Sequence, residues 1–409
     1  MKIGYLMQVG EEIRQPPFNG PANHIRQLFQ AMIRRGHKVR ILFRLNGKIW
    51  KTDDLISFSN VEVKWIDHGP WRFIEKITRR FQSELHLPYI GFFESLRFAM
   101  ACRQELRGCE VLLERLSWMT YGGALIRRWM NVPFVLEYNG DPLADLEAHG
   151  LVPQGTQKSI SVNLLSWNIH KADSIVVTGE GWKKNCIEKY SVPPERVYLI
   201  ENGSDLVRIL RRENLHSFRS DNEEDSVTRL VYLGGFYPWH GVDGMLCAVD
   251  NAVRLGADLK LILIGAGPGM DHAVQLTEDL GLSPIVTFTG NLQTDQYALY
   301  LAKADIGLSP YCGWEEFSGL KIFDYKAAGL ACIASGKNGQ PSSVVHGQTG
   351  WIITPCDEDA LCEAILYFAN HRQVTRRMGQ ASRIQAEDCH SWDRTVEKFE
   401  QVFVPLVKE

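Results

Sequence analysis

The sequence predicts an α/β protein built from two doubly wound parallel-sheet domains in series, facing each other across a cleft. Three observations carry that expectation. Short apolar runs alternate with amphipathic helical patterns, as in βαβ units. The alternation restarts after a charged, polar stretch near the middle of the chain. The 409 residues also exceed what one ordinary hydrophobic core organises. The division read from this pattern is a first domain at 1–207, a variable linker at 208–228 and a second domain at 229–390. A closing helix at 391–409 then packs back on the first domain.

The elements follow in order. Residues 2–9 read as a strand. Residues 23–35 place Ile25, Leu28, Phe29, Met32 and Ile33 on one helical face, Gly36 ends that helix, and 39–43 resume as a buried strand. Further strands are expected at 61–66, 111–114, 134–138, 174–178 and 197–200. The second series begins at 230–233 and continues at 259–264, 285–289, 306–309 and 331–334, with a final helix at 394–406. No short-period repeat or low-complexity tract appears.

Composition narrows the function. A hydrophobic share of 45% and a charged share of 23% are those of a soluble globular chain. The net charge of -3 lacks the basic footprint of a nucleic-acid binder. No secretory signal opens the chain, and no apolar run approaches the roughly 18 residues of a membrane span. The 9 cysteines are dispersed, which fits reduced thiols in the cytoplasm.

In doubly wound sheets, ligands sit at the C-terminal ends of the strands, so the strand-to-helix loops matter most. The segment 315–325 follows an expected strand and opens a helix. Ser318, Gly319 and Leu320 would present backbone N–H groups at its N-terminus, an anion site helped by the helix dipole. Lys321 adds a full positive charge for a diphosphate. Asp324 lies one turn further on the same face, placed to bind ribose hydroxyls, and Glu316 is placed to bind a sugar. The competing reading is a surface ion pair between Lys321 and Asp324 with a solvated Glu316.

A second loop, 234–241, leaves the first strand of the second domain. Gly234 and Gly235 permit close approach to phosphate, and His240 is a donor or partial cation. A tight turn with a packed Trp239 is the plainer alternative. A third loop opens with Gly265 and only begins a dinucleotide fingerprint, because Pro268 and Gly269 break its continuation. Gly290 and Asn291, at the end of the 285–289 strand, complete the expected donor-binding set.

Together these segments resemble glycosyltransferase family 4, and the resemblance runs over nearly the whole chain. The family's pattern of two acidic residues separated by seven others reads here as Glu316 and Asp324, followed by Ala327-Ala328-Gly329. The phosphate loop departs from the usual Gly-Arg and Lys-Gly ends, and its Pro238-Trp239-His240-Gly241 resembles a subgroup form. Asn202-Gly203-Ser204-Asp205 and Gly347-Gln348-Thr349-Gly350 also resemble family segments. Phe18-Asn19-Gly20-Pro21-Ala22 resembles a glycine-rich loop that closes over the diphosphate, through Gly20. Asn139 stands where many relatives place a catalytic-site histidine, and Asn139 or Asp141 is taken as an acceptor contact.

The resemblance implies the GT-B fold, with two Rossmann-like domains, and retaining transfer of a hexose-type sugar from a UDP- or GDP-sugar to a glycan or lipid-linked acceptor. Glu316, Lys321, His240, Asn139 and Asp141 form the expected catalytic set, His240 making affinity pH-sensitive. No cofactor beyond the nucleotide-sugar co-substrate and no bound metal are expected. Residues 71–93 carry Phe73, Ile74, Ile77 and Phe81 on one helical face beside Arg72, Lys76, Arg79 and Arg80. They read as an ordinary core helix with a basic solvated face or as a peripheral membrane contact at the inner face of the membrane. Rival functions are a GT-B nucleotide-sugar 2-epimerase, a catalytically silent donor-binding protein and an NAD(P)-dependent oxidoreductase.

Overall fold

A computed structural model describes residues 1–63, 70–85, 91–148, 150–213, 215, 226–313, 319–337 and 341–408. The chain forms two units. One comprises Met1–Gln15, Leu28–Ile200 and Val396–Glu409, the other Pro16–Gln27 and Glu201–Thr395. The chain therefore changes unit at Ile200–Glu201, and also within two of its helices.

The first unit begins with β1 (Lys2–Met7), α1 (Gly20–Arg34, whose first two turns belong to the other unit), β2 (Lys38–Leu45), β3 (Lys48–Thr52) and β4 (Ser59–Asn60). It continues through α2 (Pro70–Glu84), α3 (Phe92–Glu105), β5 (Val111–Arg115), α4 (Gly122–Met130) and β6 (Phe134–Tyr138). Helices α5 (Pro142–Ala148) and α6 (Gly155–Lys171), β7 (Ser174–Val177), α7 (Glu180–Tyr190) and β8 (Val197–Leu199) complete it. The strand order is β4-β3-β2-β1-β5-β6-β7-β8, parallel except for the antiparallel pairs at β2–β3 and β3–β4. All five residues of β6 are buried, as expected for a parallel strand covered on both faces.

The second unit runs α8 (Leu206–Ile209), β9 (Thr228–Leu233), α9 (Val242–Arg254), β10 (Leu259–Ile264), α10 (Met270–Asp279), β11 (Val286–Gly290) and α11 (Thr294–Lys303). Then come β12 (Ile306–Ser309), α12 (Leu320–Ala327), β13 (Ala331–Ser335), β14 (Gly350–Ile353), α13 (Glu358–Asn370) and α14 (Arg372–Cys389). Helix α15 (Trp392–Lys408) starts here and continues into the first unit. The sheet is wholly parallel, ordered β11-β10-β9-β12-β13-β14. This is the doubly wound order 3-2-1-4-5-6, and its winding reverses between β9 and β12. One face packs Met245, Leu246, Leu361 and Ile365 of α9 and α13 over Leu230, Leu261 and Ile333. The other packs Tyr297, Leu301, Ile322 and Tyr325 of α11 and α12 over Val231, Ile264 and Ala334.

The predicted fold class of two parallel-sheet α/β domains is the one observed. Two details differ. Val61–Val63 lie outside any strand, although Val61 donates its N–H to the Ile49 carbonyl, and residues 64–66 fall outside the described residues. Helix α1 starts at Gly20 rather than at 23, because the Asn19 side chain accepts the Ala22 N–H and caps it.

Candidate active site

The reversal between β9 and β12 puts two loops side by side, 234–241 after β9 and Pro310–Gly313 after β12. They are clasped together. The Cys312 N–H donates to the Trp239 carbonyl at 2.9 Å. Gly241 sits at φ +68°, with no room for a side chain against the Pro310 carbonyl. Cys312 is in turn disulfide-bonded to Cys356, beyond β14, with a Cα–Cα distance of 4.7 Å. This corrects the expectation of reduced thiols throughout: a separation of 44 residues hid a pair that the parallel sheet brings together. The other cysteines described are free.

Lys321 is the charged centre of the cluster. It lies in the first turn of α12, is buried, and holds its Nζ 4.4 Å from the centre of the Tyr311 ring and 4.9 Å from that of Tyr232. A Cβ on Gly234 would come within 3.2 Å of the same nitrogen, so that glycine keeps space open beside the ammonium. The N-cap of α12 is Gly319, which offers no side-chain cap, and Leu320 is the first helical residue. Gly20 lies against Leu320, a Cβ there being 3.8 Å from its methyl group. Glu316 and Ser318 lie outside the described residues.

His240 is part of this cluster, with a chemistry different from the expected one. Its Nδ1 is 2.6 Å from the Gly235 carbonyl oxygen and 3.1 Å from the Tyr232 hydroxyl. A carbonyl only accepts, so Nδ1 carries the proton, and in the neutral ring Nε2 is left as an acceptor. Burial, followed by the nearby Lys321 charge, lowers its pKa to about 4. The histidine is therefore a neutral strut at physiological pH, which corrects both the partial cation and the pH-sensitive affinity near neutrality.

The glycines also serve the protein's own packing more than the sequence suggests. The Gly234 N–H donates to Ile264 and the Gly265 N–H to Gly290, both at 2.9 Å, so these amides extend the sheet ladder. A Cβ on Gly265 would strike the Gly234 carbonyl, and one on Gly235 would meet the Tyr237 ring at 2.6 Å. Gly290 has φ +69° and open space around it, and Asn291 is exposed beside it.

Asp324 anchors α12. It is buried, and its two carboxylate oxygens accept from the Ser204 and Tyr297 hydroxyls, the latter at 3.0 Å. Desolvation raises its pKa to about 6 despite those bonds. No Lys321–Asp324 ion pair forms. The Asn202-Gly203-Ser204-Asp205 motif thus acts as a brace on α12, and Gly203 packs directly on the backbone of Ser391 and Trp392.

In the first unit, Asp141 is also spent structurally. One oxygen accepts the Leu143 N–H at 3.0 Å and the Tyr190 hydroxyl at 2.8 Å, while the other pairs with Lys189. Asn139 is the opposite case. Both polar atoms of its side chain are buried without a hydrogen-bond partner among the described residues, at the C-terminal end of β6. Such atoms are costly to leave unpaired. A residue absent from the sequence reading is Glu114, fully buried at the end of β5 and facing the Gly123 N–H at 3.2 Å. Desolvation pushes its pKa up to about 8. Its one sequence signal is an acid closing the apolar run Val111-Leu112-Leu113.

Comparisons with known proteins agree with this architecture. Residues 18–208 match the family model described as Glycosyltransferase Family 4, and residues 227–371 match Glycosyl transferases group 1. The chain is 28% identical over 174 residues to the GDP-mannose-dependent alpha-(1-6)-phosphatidylinositol monomannoside mannosyltransferase of Mycobacterium tuberculosis. That match covers 41% of this chain and 45% of the relative, less than half the mycobacterial enzyme's length. It is 23% identical over 401 residues to a D-inositol 3-phosphate glycosyltransferase of Streptomyces scabiei, covering 94% and 86% of the two chains. Among solved structures it resembles a sucrose-phosphate synthase from Thermosynechococcus elongatus, with a TM-score of 0.72, 18% identity and coverage of 100% and 99%. The fold is also that of HepE from Anabaena, with a TM-score of 0.67, 16% identity and full coverage of both chains. The matching models, one on each half of the chain, both describe glycosyltransferases, and the fold is GT-B.

Proposed function

We propose that this protein transfers a hexose-type sugar from a UDP- or GDP-sugar to a glycan or lipid-linked acceptor, with retention of configuration and without a bound metal. The observation that carries the reading is the buried Lys321 ammonium packed beside Gly234, where any side chain would crowd it, next to the N-terminus of α12, which has no side-chain cap. Glycosyl transfer builds negative charge on the departing diphosphate. A fixed cation and helix N–H groups in a dehydrated site stabilise that charge without reorganising. Relatives named for GDP-mannose dependence and a neighbouring structure holding UDP and glucose support this donor class.

In this reading His240 accepts a hydroxyl hydrogen bond through Nε2 and helps to hold Tyr232 under the ammonium. The free amide of Asn139 orients an acceptor hydroxyl. An amide is no base, so the acceptor proton goes to the leaving phosphate. The apolar face of α2 meets a lipid surface at the inner side of the membrane. Among the described residues no helix is long and apolar enough to cross a membrane.

The test is the shift in thermal melting with UDP, GDP, ADP and NADH, each in EDTA. A ligand at about 100 times its Kd adds roughly 2.7 kcal/mol to the native state. Stabilisation by one nucleoside diphosphate is expected, and Lys321→Met should weaken that binding roughly 10- to 100-fold. Stabilisation by NADH alone, or by nothing, would overturn the reading. Activity lost in EDTA and restored by Mn²⁺ would remove the metal-free mechanism.

A further inference from the structure

The second unit contains a cavity of about 480 Å³ that the donor reading does not use. It lies on the α9, α10 and α13 face of the sheet, whereas Lys321 and Asp324 come from α12 on the other face. The loop 236–241 is its shared wall. Met245 and Leu361 form its apolar side, and Tyr237 stands at the wall, 43% exposed and stacked on Trp239 at 5.1 Å and 11°. Its polar side chains besides Tyr237 are Asp243, His272, Ser335, Asp357 and Glu358, and Asp357 caps α13 by accepting the Ala360 N–H at 2.9 Å. Asp243 meets His272 at 3.3 Å, and Glu358 lies over Gly244, where a Cβ would be 3.2 Å from its Oε1.

The charges in this cavity are compensated. Asp243 and Glu358 stand in the first turns of α9 and α13, where the helix dipoles offset them. Asp243 also has His272 as a partner. The carboxylates therefore act as hydrogen-bond acceptors rather than as an open negative field. They would repel a phosphate. Acceptors lining one cavity with an exposed aromatic ring, in a space of this size, match the hydroxyls and the C–H face of a pyranose.

We propose that this cavity is a second carbohydrate subsite, binding one or two pyranose residues of a glycan apart from the donor site. Saturation-transfer NMR on the full chain tests it, using methyl α-glucoside, α-mannoside and α-galactoside and the corresponding α-linked disaccharides, with and without excess UDP and GDP. At least one saccharide should receive saturation at its ring C–H protons with a Kd of about 1 mM, and keep it when nucleotide is present. Tyr237→Ala and Glu358→Gln should each weaken that signal about tenfold, with an unchanged melting temperature showing that the fold survives. The proposal is overturned if no saccharide responds, if nucleotide abolishes every signal, or if both variants bind as before. A saccharide signal alongside failed nucleotide binding would sink the donor reading while sustaining this one.

Discussion

Glu114 and His240 show how single residues set the protein's pH response. For Glu114 the folded pKa is raised to about 8 from 4.5, so between those values the native state binds more protons than the unfolded chain. Stability from this group is complete below about 4.5 and is lost as pH rises towards 8. Glu114→Gln should therefore raise stability at pH 8 relative to wild type and flatten the decline, as read by urea unfolding across pH 5–9. An unchanged profile would mean that the carboxyl is hydrated. His240 works in the opposite sense. Its folded pKa is lowered to about 4 from 6.5, so the unfolded chain binds more protons in that window and stability falls as pH drops through it. Neither effect was legible in the sequence, because both come from burial. The place of Lys321 was legible, as a lysine in the first turn of a helix that follows a glycine. The tyrosine partners of Asp324 and Asp141 were not legible, because an acid in the right register looks the same whether its oxygens face a ligand or a tyrosine.

At the scale of elements, α2 is the informative departure. Its periodicity was readable, and an ordinary core helix would bury Phe73, Ile77 and Phe81. The structure turns it over. Phe73 is 66% and Phe81 59% exposed, while Glu75 is buried and bound by Arg79 and Arg97. The inward acid is held by two guanidiniums, one from α2 itself and one from α3, and Arg79 also reaches Glu94 of α3. Periodicity gives the angle between faces but not which face turns inward, and the partners deciding that lie about 20 residues away. Exposed phenylalanines flanked by Arg72, Lys76 and Arg80 suit an anionic lipid surface. A Phe73→Ser, Phe81→Ser double variant should lose roughly tenfold or more of its affinity for vesicles rich in phosphatidylglycerol. Its melting temperature should hold. Equal vesicle binding by wild type and variant would remove the lipid role. Short strands were the other gap: β3 and β14 are five and four residues long, and β14 opens with a glycine that carries little strand signal.

Over the whole molecule, the sheets and most connections followed from alternation of apolar runs, which parallel strands make almost continuous. The allocation of residues 16–27 to the second unit did not. The last residues of α15 belong with the first unit, where Glu400 bonds Arg35 and His37, and Val396, Phe399 and Phe403 are buried. Ending the chain after Thr395 removes those side chains, each contributing about 1.5–3 kcal/mol. The truncated protein should melt roughly 10 °C or more below the full chain. A circular-dichroism melt that does not move would show that the terminal turns are dispensable.

Because α1 and α15 each pass from one unit to the other in mid-helix, the units are not consecutive stretches of sequence. A hybrid enzyme joined once, at the residue where the sheets change over, would part each body from pieces of itself. Grafting the second unit onto a relative's first unit requires residues 16–27 to travel with it and residues 396–409 to stay behind. Two of the four boundaries along which specificity could be traded therefore run through helices, and the other two, at Gln15–Pro16 and Ile200–Glu201, through loops.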